Sequence, residues 1–72
     1  MKEDLGTRIK RFRLEIGLTQ GQLGEKLGVS AQAVSKWERA QTYPDVMTLP
    51  AMALLFGVTT DELLGCDRMK IK

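Results

Sequence analysis

The sequence contains no histidine and only one cysteine among its 72 residues. A single thiol cannot form an internal disulfide, and a structural zinc site needs several cysteine or histidine ligands, so neither kind of cross-link is expected. The first residues are charged and no stretch of about 18 apolar residues occurs, so we expect neither a secretory leader nor a membrane span. These absences favour a cytoplasmic protein with no metal and no cofactor.

The same absences argue against catalysis. The chain has no nucleophile paired with a recognisable base, and its glycines at positions 21, 24 and 28 do not match a nucleotide-binding pattern. A domain of this size buries only about 60% of the surface of its unfolded chain, which leaves little room for a cleft. We therefore expect neither an enzyme nor a small-molecule ligand.

Charge is distributed unevenly along the chain. Residues 1–39 carry eight Lys/Arg against five Asp/Glu, whereas residues 40–72 carry three against four. The basic excess therefore lies in the first half. An excess of this size permits nucleic-acid binding without requiring it.

The apolar residues recur with a period near 3.6 and no segment alternates with a period of two, so the predicted fold class is all-α. We expect one compact domain of five short helices at residues 1–64 and a short flexible tail at residues 65–72. The first three helices are predicted at residues 4–16, 20–27 and 31–39. In the first of them one apolar face is formed by Leu5, Ile9, Phe12 and Ile16.

Local capping signals set the ends of the second and third helices. Thr19 and Gln22 have the spacing of a capping box, Ser30 is a typical N-cap, and Gly17 and Gly28 are typical residues after a helix end. These signals bracket two helices of about two turns each.

The fourth helix, ending at Phe56, has two candidate starts. Asp45 is a good cap, but Pro50 would then lie inside the helix and cost a backbone hydrogen bond, so a later start with Thr48 as cap stays open. A fifth helix, capped by Thr59 or Thr60, extends to residue 64.

Only Gly28 and Val29 separate the second helix from the cap of the third, so the two helices must cross steeply. Gly24 lies one turn before this bend. Glycine costs about 1 kcal/mol relative to alanine inside a helix, so its presence suggests that another backbone passes close by. Short helices joined in this way are typical of a DNA-binding helix-turn-helix.

The third predicted helix has a polar outer face. With Val34 taken as the inward direction and about 100° per residue, Trp37 and Glu38 lean inward, so we expect Trp37 in the core. The opposite direction carries polar, net positive side chains: Gln32, Ser35, Lys36 and Arg39. Glutamine can bond adenine and lysine can bond guanine in the major groove, so this face is a candidate for reading bases.

Longer motifs point to a known family. The segments GLTQ, KLGVS, AVSKWE, the PD before the fourth helix and FGVTTDELL all lie within residues 5–64. Together they resemble the helix-turn-helix family of phage lambda repressor and Cro, called XRE in bacteria. Two positions depart from its pattern: Gly24 stands where alanine is usual, and Ala40 stands where glycine often follows the recognition helix.

The resemblance implies a lambda-repressor-like fold and specific roles for individual residues. Residues expected to face base edges are Ala31, Gln32, Ser35 and Lys36. Residues expected near the DNA backbone are Gln20, Ser30, Arg39, Thr42, Tyr43 and Arg13. The family also implies a structural ion pair between Arg13 and Glu38. We expect Arg8, Lys10 and Arg11 to form a solvated face.

The function that follows is a sequence-specific regulator of transcription that binds double-stranded operator DNA, with a repressor favoured. One recognition helix reads few base pairs, so we expect a homodimer on two half-sites. Candidates for the dimer surface are Phe56, Val58, Leu63 and Leu64, although most of them must also serve the core.

Two alternatives stay open. The fold could serve as a protein-interaction module, such as an antitoxin or an anti-repressor. The chain could also be the N-terminal domain of a longer regulator.

Overall fold

The computed structural model describes residues 4–65 of the protein. Within this range there are five helices and no strand: α1 (Leu5–Glu15), α2 (Gln20–Leu27), α3 (Ala31–Glu38), α4 (Thr48–Phe56) and α5 (Thr60–Leu64). The predicted all-α class is confirmed. The α2 helix has the predicted bounds, while α3 ends one residue earlier than predicted, with Arg39 as its C-cap. Cys66 and the rest of the predicted tail, residues 66–72, lie outside the described residues.

Side-chain caps begin four of the five helices. The predicted capping box of Thr19 and Gln22 is present at α2, and Thr59 forms a second one at α5. The Ser30 hydroxyl accepts a hydrogen bond from the backbone N–H of Ala33 at 3.1 Å. At α1, Asp4 is the N-cap, and hydrogen bonds from Thr7 hold the pKa of its carboxyl below the ordinary value. Each cap satisfies backbone donors that the first turn of a helix leaves unpaired.

The N-terminus of α4 differs from the prediction. Met47 is the N-cap and makes no side-chain capping bond, so the proposed Asp45 cap is wrong, and Thr48 is the first helical residue instead of the cap. The backbone N–H of Thr48 donates to the Asp45 carbonyl at 2.8 Å, which closes a turn before the helix. This late start places Pro50 in the first turn, where a missing N–H costs no helical hydrogen bond.

Side chains from all five helices form the core. Residues from α1 and α4 meet where the rings of Phe12 and Phe56 lie 5.5 Å apart. The predicted inward position of Trp37 is confirmed, with 6% of its surface exposed. Ile16 is 40% exposed, contrary to its predicted place on the core face, because α1 ends at Glu15. The buried apolar residues are Ile9, Phe12, Leu23, Val34, Trp37, Met52, Ala53, Phe56 and Leu63.

Two contacts of α1 hold α3 and α5 against it. A Cβ added at Gly6 would overlap the carbonyl oxygen of Trp37, so α1 and α3 pack with their backbones in contact. At α5, the Arg8 guanidinium donates from Nε to the carbonyls of Glu62 at 3.1 Å and Leu63 at 3.2 Å. A cation bound to the last carbonyls of a helix also interacts favourably with the negative end of the helix dipole. The prediction that Arg8 belongs to a purely solvated face is therefore wrong.

The candidate dimer surface is corrected by burial. Phe56 and Leu63 are 8% and 0% exposed, so they serve the core and offer little surface to a partner. Val58 is partly buried against the same core. Leu64 is 42% exposed. Within residues 4–65 no helix is long and apolar enough to cross a membrane, and no group of side chains there is suited to hold a metal ion.

Candidate nucleic-acid interface

The α2–α3 pair forms a tight helical corner. Gly28 has φ +75°, a left-handed conformation that glycine adopts without a steric penalty. The backbone N–H of Val29 then donates to the Gly24 carbonyl at 2.8 Å. An added Cβ at Gly24 would lie 2.6 Å from the carbonyl oxygen of Val29, which confirms the close backbone passage inferred from the sequence. Gly24 and Gly28 therefore fix how sharply the chain turns into α3.

The turn after α3 has the same hydrogen-bond pattern but lacks the glycine. The backbone N–H of Gln41 donates to the Lys36 carbonyl at 2.9 Å, and that of Ala40 donates to the Trp37 carbonyl at 3.1 Å. Ala40 has φ +61° and is the one non-glycine residue with a positive φ in residues 4–65. The left-handed turn therefore forms although alanine occupies the position where glycine is favoured.

The outer face of α3 is open to solvent. Val34 is fully buried, while Ala31, Gln32 and Lys36 are exposed and Ser35 is half-buried. Gln32 and Lys36 therefore lie on the side of the helix away from the core, with Ser35 beside them and Ala31 exposed at the N-terminal end. Their side chains offer a methyl group, an amide, a hydroxyl and an ammonium group, which together suit the edges of base pairs.

Polar and aromatic residues flank this face. Arg39, Thr42 and Tyr43 are exposed at the C-terminal end of α3 and in the loop after it, and 71% of the Tyr43 surface is accessible. The Nε of Arg39 donates to the Ser35 carbonyl at 3.4 Å. At the other end of the helix Ser30 is exposed while its hydroxyl caps α3.

A buried ion pair joins α1 to the end of α3. Arg13 Nε lies 2.6 Å from Glu38 Oε2, and Arg13 Nη2 lies 3.0 Å from Glu38 Oε1. The two side chains are 8% and 4% exposed. Arg13 Nη1 also donates to the Leu18 carbonyl at 2.8 Å, so the guanidinium is bonded on several sides within the protein. This burial argues against direct contact between Arg13 and a phosphate.

The ion pair also affects the charge of the exposed side of α3. A bare Glu38 carboxylate at the end of α3 would repel phosphates, but Arg13 neutralises it. Lys36 and Arg39 then dominate the exposed charge of this helix. The outer face of α3 is consequently net positive, as a surface that approaches DNA requires.

The side chain of Gln20 turns inward. Its Nε2 donates to Glu38 Oε1 at 3.0 Å, and the residue is half-buried. The family resemblance had implied only a DNA-backbone contact for Gln20. The sequence carried no signal for this bond, because its two partners are 18 positions apart and lie on different helices.

These features define the class of the protein. A short α2, a glycine turn and an α3 with one face buried and the other polar and exposed form a helix-turn-helix domain. The family model described as helix-turn-helix matches residues 9–63. The chain belongs to this helix-turn-helix family, that of phage lambda repressor and Cro, known in bacteria as XRE.

Relatives of known name agree with this assignment. The HTH-type transcriptional regulator ImmR of Bacillus subtilis is 40% identical over 68 residues, which are 94% of this chain and 54% of ImmR. The HTH-type transcriptional activator BcrR of Enterococcus faecalis is 38% identical over 66 residues, 92% of this chain and 32% of BcrR. This chain therefore spans about half or less of these two relatives.

A solved structure has the same fold. The c2 repressor of Salmonella phage P22, crystallised with the synthetic operator 9T, superimposes with a TM-score of 0.84 at 35% identity. The match covers 92% of this chain and all of that one. The likeness therefore extends over the whole helix-turn-helix domain.

Proposed function

We propose that this protein is a regulator of transcription, a repressor, that binds double-stranded operator DNA in a sequence-specific manner. The observation that carries the proposal is the outer face of α3, which is polar and exposed while the same helix buries Val34 and Trp37. A helix that needs only one face for the core can place the other in the major groove. The P22 c2 repressor, which binds an operator, supports the same reading.

Four residues of this face are proposed to read bases: Ala31, Gln32, Ser35 and Lys36. The Gln32 amide can bond two atoms of an adenine, and the Lys36 ammonium can bond the acceptors of a guanine. The exposed methyl of Ala31 suits the methyl of a thymine, and the Ser35 hydroxyl can donate or accept. Each bidentate base contact of this kind discriminates by about 1–3 kcal/mol.

A second set is proposed to hold the DNA backbone: Gln20, Ser30, Arg39, Thr42 and Tyr43. The exposed guanidinium of Arg39 can pair with a phosphate, and the hydroxyls of Thr42 and Tyr43 can donate to one. The side chain of Gln20 is bonded to Glu38. The phosphate contact proposed for Gln20 therefore comes from its backbone N–H at the start of α2. Backbone N–H groups at a helix N-terminus attract anions.

A single domain of this kind covers few base pairs, so we propose that two copies bind a symmetric operator. Two recognition helices about one helical turn apart on the DNA would read both half-sites. Binding of this kind takes place in the cytoplasm, at the nucleoid, and needs no cofactor and no catalysis.

The test is selection of binding sites from random duplex DNA at near-physiological salt. The proposal predicts an enriched motif with two-fold symmetry and half-sites one helical turn apart. Fixing the salt concentration is essential because phosphate contacts make affinity depend steeply on it. A folded protein that enriches no motif would contradict the proposal and favour a protein partner for this domain.

A further inference from the structure

The carboxylate of Glu38 is the meeting point of three parts of the fold. Arg13 approaches it from α1 with two N–H groups, and Gln20 approaches from the first residue of α2 at 3.0 Å. Because a carboxylate can only accept hydrogen bonds, the Gln20 amide must present its nitrogen there. The bond is therefore directional, and one side chain at the start of α2 holds the last residue of α3.

The Gln20–Glu38 bond lies at the end of α3 that is far from the turn, where it can constrain the direction of the helix. Near its N-terminus α3 is held by the glycine turn, where the backbone N–H of Val29 donates to the Gly24 carbonyl at 2.8 Å. At the other end of the helix the Gln20–Glu38 bond joins it to α2. Eight helical residues span about 12 Å, so a rotation of about 5° at the turn moves the far end by about 1 Å. A bond at that end therefore constrains the direction of the helix axis.

We infer that Gln20 is a positioning residue for base recognition, which acts through Glu38 to set the direction of α3 relative to α2. The inference rests on the proposed function. All four proposed base readers lie on α3, between the turn and Glu38. Gln20 thus affects how all of them meet the base edges, although its own side chain touches no base.

This role differs from a phosphate contact in what it does to specificity. Loss of a phosphate contact weakens binding to every sequence alike, because the backbone carries no sequence information. Loss of a positioning bond misaligns base contacts and leaves the charged phosphate contacts in place. The ratio of specific to non-specific affinity therefore separates the two roles.

The informative substitution is Gln20→Met, which keeps the length of the side chain and removes its donor. Arg13 still holds Glu38, so the variant is expected to fold. Gln41→Met is a matched control, because Gln41 is exposed and lies outside this network. A thermal melt of each variant ensures that binding is measured well below unfolding.

The experiment has two readouts. In the free protein, Gln20→Met should shift the backbone amide signals of Trp37 and Glu38 in nitrogen-15 correlation spectra. On DNA, Gln20→Met should lower the ratio of affinity for the selected site to affinity for an unrelated duplex by about tenfold. This is the effect expected from losing one weak base contact. Gln41→Met should leave that ratio unchanged.

Each other outcome has a definite meaning. Unmoved amide signals would show that the bond does not order α3, and a folded variant with the parental ratio would assign Gln20 to phosphate or to stability alone. Both results overturn the positioning role while the parent still selects its site. If the parent itself prefers no duplex, the proposed function fails, and the role in specificity fails with it.

Discussion

Replacing Ala40 by glycine should make the protein more stable. Ala40 follows α3 with φ +61°, whereas the glycines at the ends of α1, α2 and α4 have φ between 75° and 77°. For an L-residue the left-handed conformation costs about 1–2 kcal/mol. Glycine removes this cost. It also makes the unfolded chain more flexible, which lowers the stability of the folded state by about 0.5–1 kcal/mol. The expected net gain is therefore roughly 0.5–1 kcal/mol.

The assay is thermal and denaturant unfolding followed by circular dichroism. For a domain of this length, a gain of 1 kcal/mol raises Tm by about 4–8 °C. Ala51→Gly is the matched control, because Ala51 is exposed inside α4, where glycine should cost about 1 kcal/mol. The exchange of alanine for glycine should thus raise the free energy of unfolding at position 40 and lower it at position 51. A destabilised Ala40→Gly protein, equal to the control, would refute the assignment of strain to this turn.

Three further substitutions test the packing. Gly6→Ala should destabilise the domain by about 1–3 kcal/mol because its Cβ overlaps the Trp37 carbonyl. Gly21→Ala should not destabilise it in the same denaturant titration, because the added Cβ would meet its nearest atoms at 3.9 Å, an ordinary van der Waals distance. Arg8→Ala should cost about 1.5–3 kcal/mol through the lost bonds to the end of α5, and hydrogen exchange should then accelerate in that helix; unchanged exchange would contradict the bond. Trp37→Ala should cost about 3–5 kcal/mol, so a variant that melts like the parent would contradict its place in the core.

The features predictable from the sequence are those with local causes. The bounds of α2 followed from Thr19, Gln22 and Gly28, which act within one turn of the helix ends. The inward direction of Trp37 followed from helical periodicity alone. The passage of a backbone near Gly24 was inferred because glycine is unfavourable in a helix and the bend is only four residues away.

The features that the sequence does not predict have partners far away along the chain, or lack a local sequence signal. Gly6 carried the same clue as Gly24, but no nearby bend indicated which backbone would approach it. Arg8 binds carbonyls more than fifty positions away, so its sequence neighbours could not distinguish it from a solvated charge. The start of α4 stays open between Asp45 and Thr48 in the sequence because its actual N-cap, Met47, makes no side-chain capping bond.

The family resemblance implies which residues contact DNA, and the structure shows where those residues lie and what they contact within the protein. The resemblance named Arg13 and Glu38 as partners, and the structure places them 2.6 Å apart. It could not anticipate that Gln20 shares the same carboxylate. The assignment of individual residues to bases or phosphates stays a prediction.

The substitution Lys36→Ala asks whether the outer face of α3 reads bases. Site selection should be repeated with this variant and with Lys10→Ala, which removes the same charge from an exposed position on α1. We expect Lys36→Ala to lose preference at one base pair of each half-site and about 1–3 kcal/mol of binding free energy. Lys10→Ala should keep the parental motif. An unchanged motif and affinity for Lys36→Ala would show that Lys36, and with it the outer face of α3, does not read bases as proposed.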